Sequence, residues 1–178
     1  MTVSVSVVIR TRNEIRTLRR VFAALRAQSL RGFEVVVVDN GSTDGTLELA
    51  RGEADRVVEI REFTHARSTN LGVASSSGAF VYLTNGHAWP MRDDLLDTGS
   101  RLLDTEPGVA GVYGRCVPHV EPGLSNAVER VMGAAGSLTH RGGCALLDRY
   151  RPGMLQTQSV MIRRTLVAGT SFREVPPV

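Results

Sequence analysis

With 178 residues and 42% apolar side chains, the chain can fill one sizeable core, which excludes a disordered protein and leaves little room for a second large domain. The formal net charge is only +3, and all 21 basic side chains are arginines scattered without a stripe, which argues against nucleic acid as a partner. The two cysteines, Cys116 and Cys144, have neither metal-type spacing nor a disulfide framework, which fits a reduced, cytoplasmic compartment.

The first ten residues lack the basic start and long apolar run of a leader or a membrane span. Ser4–Ile9 is β-branched and predicts the first strand. Asn13 is the predicted cap of a helix whose apolar positions Ile15, Leu18, Phe22 and Leu25 fall three and four apart. After Gly32, Phe33–Val38 predicts a second strand, and its four consecutive valines suit a parallel strand covered on both faces. Ser42 or Thr43 caps a short helix running to Arg51, with Asp44 favourable in its first turn. Arg56–Ile60 predicts a third strand, Ser68–Ala74 a helix, Phe80–Leu83 a fourth strand and Thr84–Pro90 a loop. Asp93 caps a helix to about Asp104, with Leu95, Leu96, Leu102 and Leu103 inward, and Val109–Val117 predicts a fifth strand. Beyond it, Leu124–Met132 predicts a helix, Thr139–Arg151 a Gly-rich loop, Gln158–Ile162 a strand and Thr165–Ala168 a helical turn. The paired prolines of Val175–Val178 exclude regular structure. Strands alternating with helices predict βαβ units and a mostly parallel sheet.

Several common α/β chemistries are absent from the motif record. No GxGxxG follows the first strand, no phosphate loop with lysine exists, and no Gly-x-Ser-x-Gly elbow occurs. What stands out is Asp39, closing the valine run at the end of a strand where ligands of open α/β sheets bind. A carboxylate there can accept hydrogen bonds from the N–H of a base, or it can cap the following turn. Four segments occur in order: Val5–Glu14, ending in Asn-Glu; Val38–Thr46, reading Asp-Asn-Gly-Ser-Thr-Asp-Gly-Thr; Ala66–Gly72, with Arg67, Asn70 and Gly72; and Ser77–Thr84. Together they resemble the family 2 glycosyltransferases.

The resemblance implies a three-layer α/β/α GT-A (Rossmann-like) fold, with residues 1–117 as the nucleotide-sugar-binding core and 118–178 as an acceptor-side segment of the same domain. It implies transfer of a sugar from a nucleoside-diphosphate sugar to an acceptor hydroxyl, with inversion. The acceptor, a glycan, lipid or small molecule, enters near Arg115 and His119. Asp39 then reads the base, and Thr11, Asn13 and Glu14 line the nucleoside pocket, although helix capping alone also accounts for Asn13. Arg67 offers a planar fork to a base carbonyl or a phosphate. Asn70 belongs to the same nucleotide-sugar-binding set and, with Gly72, permits close backbone approach, while Ser42 and Asp44 shape their turn.

Two departures from the family pattern matter. Where relatives carry metal-binding carboxylates, this chain has Asn85 and His87. His87 can ligate a divalent metal (Mn²⁺ rather than Mg²⁺), donate to the diphosphate directly, or be a plain loop histidine. His65, His119 and His140 are too dispersed to form a cluster with it, and Trp89 either stacks on a sugar or packs in the loop. The acidic pair that supplies the general base is expected just past Val178, so the sequence assigns no catalytic residue and Glu174 does not take that role. The expectation is therefore a domain truncated before its catalytic acid. The competing reading is a catalytically incomplete sugar-nucleotide-binding module. Location is expected to be cytoplasmic, with possible peripheral contact with a membrane.

Overall fold

A computed structural model describes residues 4–114, 116, 158–168 and 171–173. The expected helix Leu124–Met132, the loop Thr139–Arg151, the tail Val175–Val178, and Arg115, His119, His140, Cys144 and Glu174 lie outside these residues. The elements run β1 (Val5–Thr11), α1 (Ile15–Arg26), β2 (Glu34–Asp39), α2 (Thr46–Glu53), β3 (Arg56–Glu59), α3 (His65–Ala74), β4 (Phe80–Asn85), α4 (Leu95–Thr105), β5 (Gly111–Tyr113), β6 (Val160–Arg163) and α5 (Arg164–Val167).

The strands form one six-stranded sheet in the order β3-β2-β1-β4-β6-β5. The first four are parallel, and β6 runs antiparallel to both β4 and β5. Strand alternation sorts the core into two layers. Val5, Val7 and Ile9 of β1 and Val35 and Val37 of β2 pack with Leu18, Val21, Phe22 and Leu25 of α1, Ala50 of α2 and Leu96 and Leu103 of α4. Val8, Val36, Val81 and Leu83 face the other way, against Val73 of α3 and Val160 and Ile162 of β6. This is the expected three-layer α/β/α arrangement, with a mostly parallel sheet. On α3, a Cβ at Gly72 would press into Val8 and lie 3.2 Å from Val38 Cγ2, so glycine there lets the helix sit close on the sheet.

The departures from the expected boundaries follow where the donors at each helix start find acceptors, across the chain for α1 and α4 and locally for α2 and α3. Asn13 does not cap α1. It sits at φ +53°, and residue 14 is the flanking position, with no side-chain cap. The free N–H groups there donate to the next loop instead: Asn13 to Ser42 Oγ (2.9 Å), Glu14 to Thr46 Oγ1 (2.8 Å) and Ile15 to Asp44 Oδ2 (3.2 Å). In return, Asn13 Oδ1 accepts from the Thr43 N–H at 2.8 Å. Helix α2 accordingly starts at Thr46 rather than Ser42, behind Gly45 at φ +93°, a conformation that suits glycine. Helix α3 starts at His65, three residues before the expected Ser68, because the Thr64 side chain accepts from the Arg67 N–H at 3.0 Å.

Helix α4 is not capped by Asp93. Its Leu96 N–H donates to Oε1 of Gln28, a fully buried side chain whose Nε2 donates to the Arg92 carbonyl at 2.7 Å. Gln28→Ala strands both groups and is expected to cost about 1–2 kcal/mol in a denaturant melt. The fifth strand shrinks from the expected 109–117 to Gly111–Tyr113, and the predicted strand near 158–162 enters the sheet between β4 and β5.

Candidate functional site

The sheet order reverses between β1 and β4: β2 and β3 lie to one side of β1, and β4 lies on the other. Open α/β sheets hold ligands outside the carboxyl ends of their strands at such a switch point. Register brings the ends level, with Thr11 opposite Asp39 and Arg10 opposite Asn85. Polar side chains therefore replace valines at one edge of the sheet.

Over β1 and β4 the groups are tightly linked. Glu14 Oε2 accepts from Thr11 Oγ1 at 2.9 Å, and Glu14 Oε1 pairs with His87 Nδ1. A Cβ at Gly86 would lie 2.5 Å from Thr11 Oγ1, so only glycine leaves room for this contact. The hydrogen bond to Glu14 holds the His87 pKa above its ordinary value, while burial and the nearby charge of Arg10 pull it down. On the α3 face, Arg10 is 8% exposed. Its Nη2 donates to Asn85 Oδ1 at 2.7 Å, and its Nη1 lies 3.4 Å from Thr69 Oγ1 and 3.3 Å from His65 Nδ1. Burial lowers the pKa of this guanidinium.

Sequence reasoning missed Arg10 as a site residue. The available signal was a charged side chain inside a strand whose every residue is buried. Asn85, the other residue expected to meet a metal, is engaged by Arg10. Its amide oxygen, the group that would bind a cation, accepts one hydrogen bond from Arg10 and keeps a second lone pair. Among the described residues, no three His, Cys, Asp or Glu side chains gather into a metal site. His87 fits. Metal-ligating histidines are oriented through one ring nitrogen by a carboxylate, as Glu14 does here, and offer the other to the ion.

Over β2, Asp39 is fully buried. Both its oxygens accept from Ser42, Oδ1 from the N–H at 2.9 Å and Oδ2 from the hydroxyl at 2.5 Å. In this conformation the carboxylate holds the turn. Thr11, Asn13, Glu14 and Asp39 are thus joined through the mutual loop contacts, with Asn13 exposed at the rim. Arg67 and Asn70 are not brought into this group. Arg67 is exposed and lies 3.5 Å from Glu62. Asn70 uses both ends of its amide on the backbone of Phe172, each at 2.9 Å. Trp89 packs against the core beneath Arg20, whose guanidinium lies 5.6 Å from the ring centroid. Asp94 binds Arg92. No helix among the described residues is long and apolar enough to cross a membrane.

Residues 6–132 match the model of glycosyl transferase family 2. The glycosyltransferase AglE of Haloferax volcanii is 33% identical over 134 residues, covering 71% of this chain and 43% of that protein. The putative glycosyltransferase EpsE of Bacillus subtilis is 30% identical over 143 residues, covering 67% of this chain and 50% of its own length. The chain thus spans half or less of the length of these relatives. Among solved structures, the mannosyltransferase PcManGT from Pyrobaculum calidifontis, in complex with GDP-Man and Mn²⁺, is 28% identical with a TM-score of 0.57, over 65% of this chain and 35% of that one. The family model covers most of the chain, including the residues of the switch-point edge, and the chain belongs to glycosyl transferase family 2.

Proposed function

We propose that this chain forms the donor half of a glycosyltransferase, binding a nucleoside-diphosphate sugar at the β1–β4 switch point for transfer of the sugar, with inversion, to an acceptor hydroxyl. The observation that carries the reading is the linked edge of Arg10, Thr11, Glu14, Asn85 and His87, set at the carboxyl ends of an otherwise valine-rich sheet. The base lies toward the end of β2 and its turn, and the diphosphate toward Arg10 and His87, where positive charge meets it. Asp39 reaches a base N–H directly through the lone pairs that its two bonds from Ser42 leave over, or once Ser42 gives up one of them. Otherwise it acts by fixing the turn. Arg67, exposed at the start of α3, is available to a phosphate or base carbonyl once it leaves Glu62. A membrane-borne lipid acceptor would place the protein at the inner membrane surface.

A divalent metal would be held on the protein side by His87. When bound, such an ion neutralises the leaving diphosphate. Glu14 keeps the imidazole oriented, and only the neutral ring can ligate. Because Glu14 raises the His87 pKa, Mn²⁺ affinity is expected to fall on acidification from a pH above the ordinary histidine value of about 6.5.

Calorimetric titration of nucleoside diphosphates with and without MnCl₂, together with a donor-hydrolysis assay, tests the proposal. We expect binding that Mn²⁺ strengthens, and loss of that Mn²⁺ and pH dependence in His87→Ala. Superimposable titrations of the two proteins remove His87 as a ligand. Tight binding with no hydrolysis identifies a binding module instead, and no nucleotide binding at all overturns the reading.

A further inference from the structure

The loop leaving β3 carries Phe63, an aromatic side chain 44% exposed at the same carboxyl edge of the sheet. An exposed phenylalanine normally swings among rotamers. This one is held. Its ring meets that of His65 edge-on, with centroids 4.9 Å apart and planes at 75°. The His65 ring nitrogen lies 3.3 Å from Arg10 Nη1, and the buried Arg10 is in turn fixed by Asn85. Thr69, one turn along α3, accepts from Arg10 and donates to the His65 carbonyl at 2.8 Å. A chain of contacts thus runs from Asn85 and Arg10 at the switch point to an exposed ring, through His65, which the donor reading does not otherwise use.

β3 is the neighbour of β2 in the sheet, and the Ile60 N–H donates to the Asp39 carbonyl at 2.8 Å, so the loop bearing Phe63 starts beside the turn assigned to the base. We propose that Phe63 is the stacking platform for the nucleobase of the donor, with His65 as its positioning residue. This inference rests on the donor reading above. Every base presents a π face, so an aromatic platform supplies affinity whichever base is bound and leaves discrimination to polar groups. Holding the ring in advance removes the ordering cost that a mobile side chain would impose on binding.

The test is calorimetry of the full chain with UDP, GDP, CDP, ADP and thymidine diphosphate, with inorganic pyrophosphate as a probe lacking a base. Phe63→Ala is expected to weaken the preferred nucleotide about 10-fold or more and to leave pyrophosphate binding unchanged, with Phe63→Trp restoring affinity. In Phe63→Trp on a Trp89→Phe background, nucleotide should quench the indole emission. Adding His65→Ala should reduce both the quenching and the affinity while circular dichroism stays unchanged. Phe63→Leu, which keeps apolar bulk, is expected to behave as Phe63→Ala does. Wild-type nucleotide affinity in both Phe63→Ala and Phe63→Leu overturns the platform while leaving the donor reading intact. Equal losses for nucleotide and pyrophosphate also overturn it, because the effect then lies outside the base. Failure of the wild-type chain to bind any of the five nucleotides overturns both.

Discussion

Asp39→Ala is expected to lower unfolding stability by about 2–3 kcal/mol and to weaken nucleotide binding at least 10-fold. The carboxylate is fully buried and accepts two hydrogen bonds from Ser42, whose hydroxyl oxygen in turn accepts the Asn13 N–H. Truncation leaves both Ser42 donors short of a partner, each worth about 1–3 kcal/mol. Relief of a buried charge and entry of water offset part of that. For a chain of this size the melting temperature should drop by about 5–10 °C. The affinity loss has two possible routes, and Ser42→Ala separates them. If the carboxylate itself meets the base, Ser42→Ala, which keeps the carboxylate, costs much less affinity than Asp39→Ala. If Asp39 acts only through the turn, the two variants lose affinity alike. Unchanged affinity in Asp39→Ala removes this residue from the pocket altogether.

Gly78→Ala is expected to be the most damaging small substitution, at about 3 kcal/mol in a denaturant melt. A Cβ there would lie 2.7 Å from the Ser6 amide nitrogen and 2.8 Å from the Val5 carbonyl carbon. These are backbone atoms of the central strand, so no side chain can swing aside to make room. The Gly78 N–H also donates to Ser6 Oγ at 2.8 Å, a bond that displacement would break. Overpacking of this kind costs about 1–3 kcal/mol in well-packed cores, and the rigid neighbour places this case at the upper end. Because Gly78 sits just before the amino end of β4, away from the carboxyl edge, any protein that remains folded should bind nucleotide normally. A melt indistinguishable from wild type would show that the strand start yields more easily than its contacts imply.

The central strands were legible in the sequence because burial on both faces demands consecutive apolar residues, as in Val35–Val38. The amphipathic spacing of α1 was legible for the same physical reason: Leu18, Phe22 and Leu25 turn to one side and are buried there. Helix starts were less so. Local capping rules look a few residues ahead, whereas Ser42, Asp44 and Thr46 serve α1 from 29 to 32 positions away, and Gln28 serves α4 from 68 away. The insertion of β6 between β4 and β5 has no local signature either, since a strand's neighbours are chosen by topology. At the site, Glu14 and His87 were each legible singly, but their pairing across 73 positions was not. Arg10 escaped notice because it extends a strand that already looked complete at Ile9. The roles expected of Asn70 and Asn85 came from their places in the family's motifs, which carry no sign of the neighbours folding gives their amides, Phe172 and Arg10.

The reciprocal bonding of the two loops at the sheet edge has a consequence for anyone building chimeras. Residues 11–15 and 42–46 are a matched set: each supplies acceptors the other lacks. Transplanting either loop alone from a homologue would orphan donors in both, whereas exchanging them together preserves the stitching. Drift in one should therefore be answered by drift in the other, so altered substrate preference in descendants of this protein is expected to arise through paired replacements.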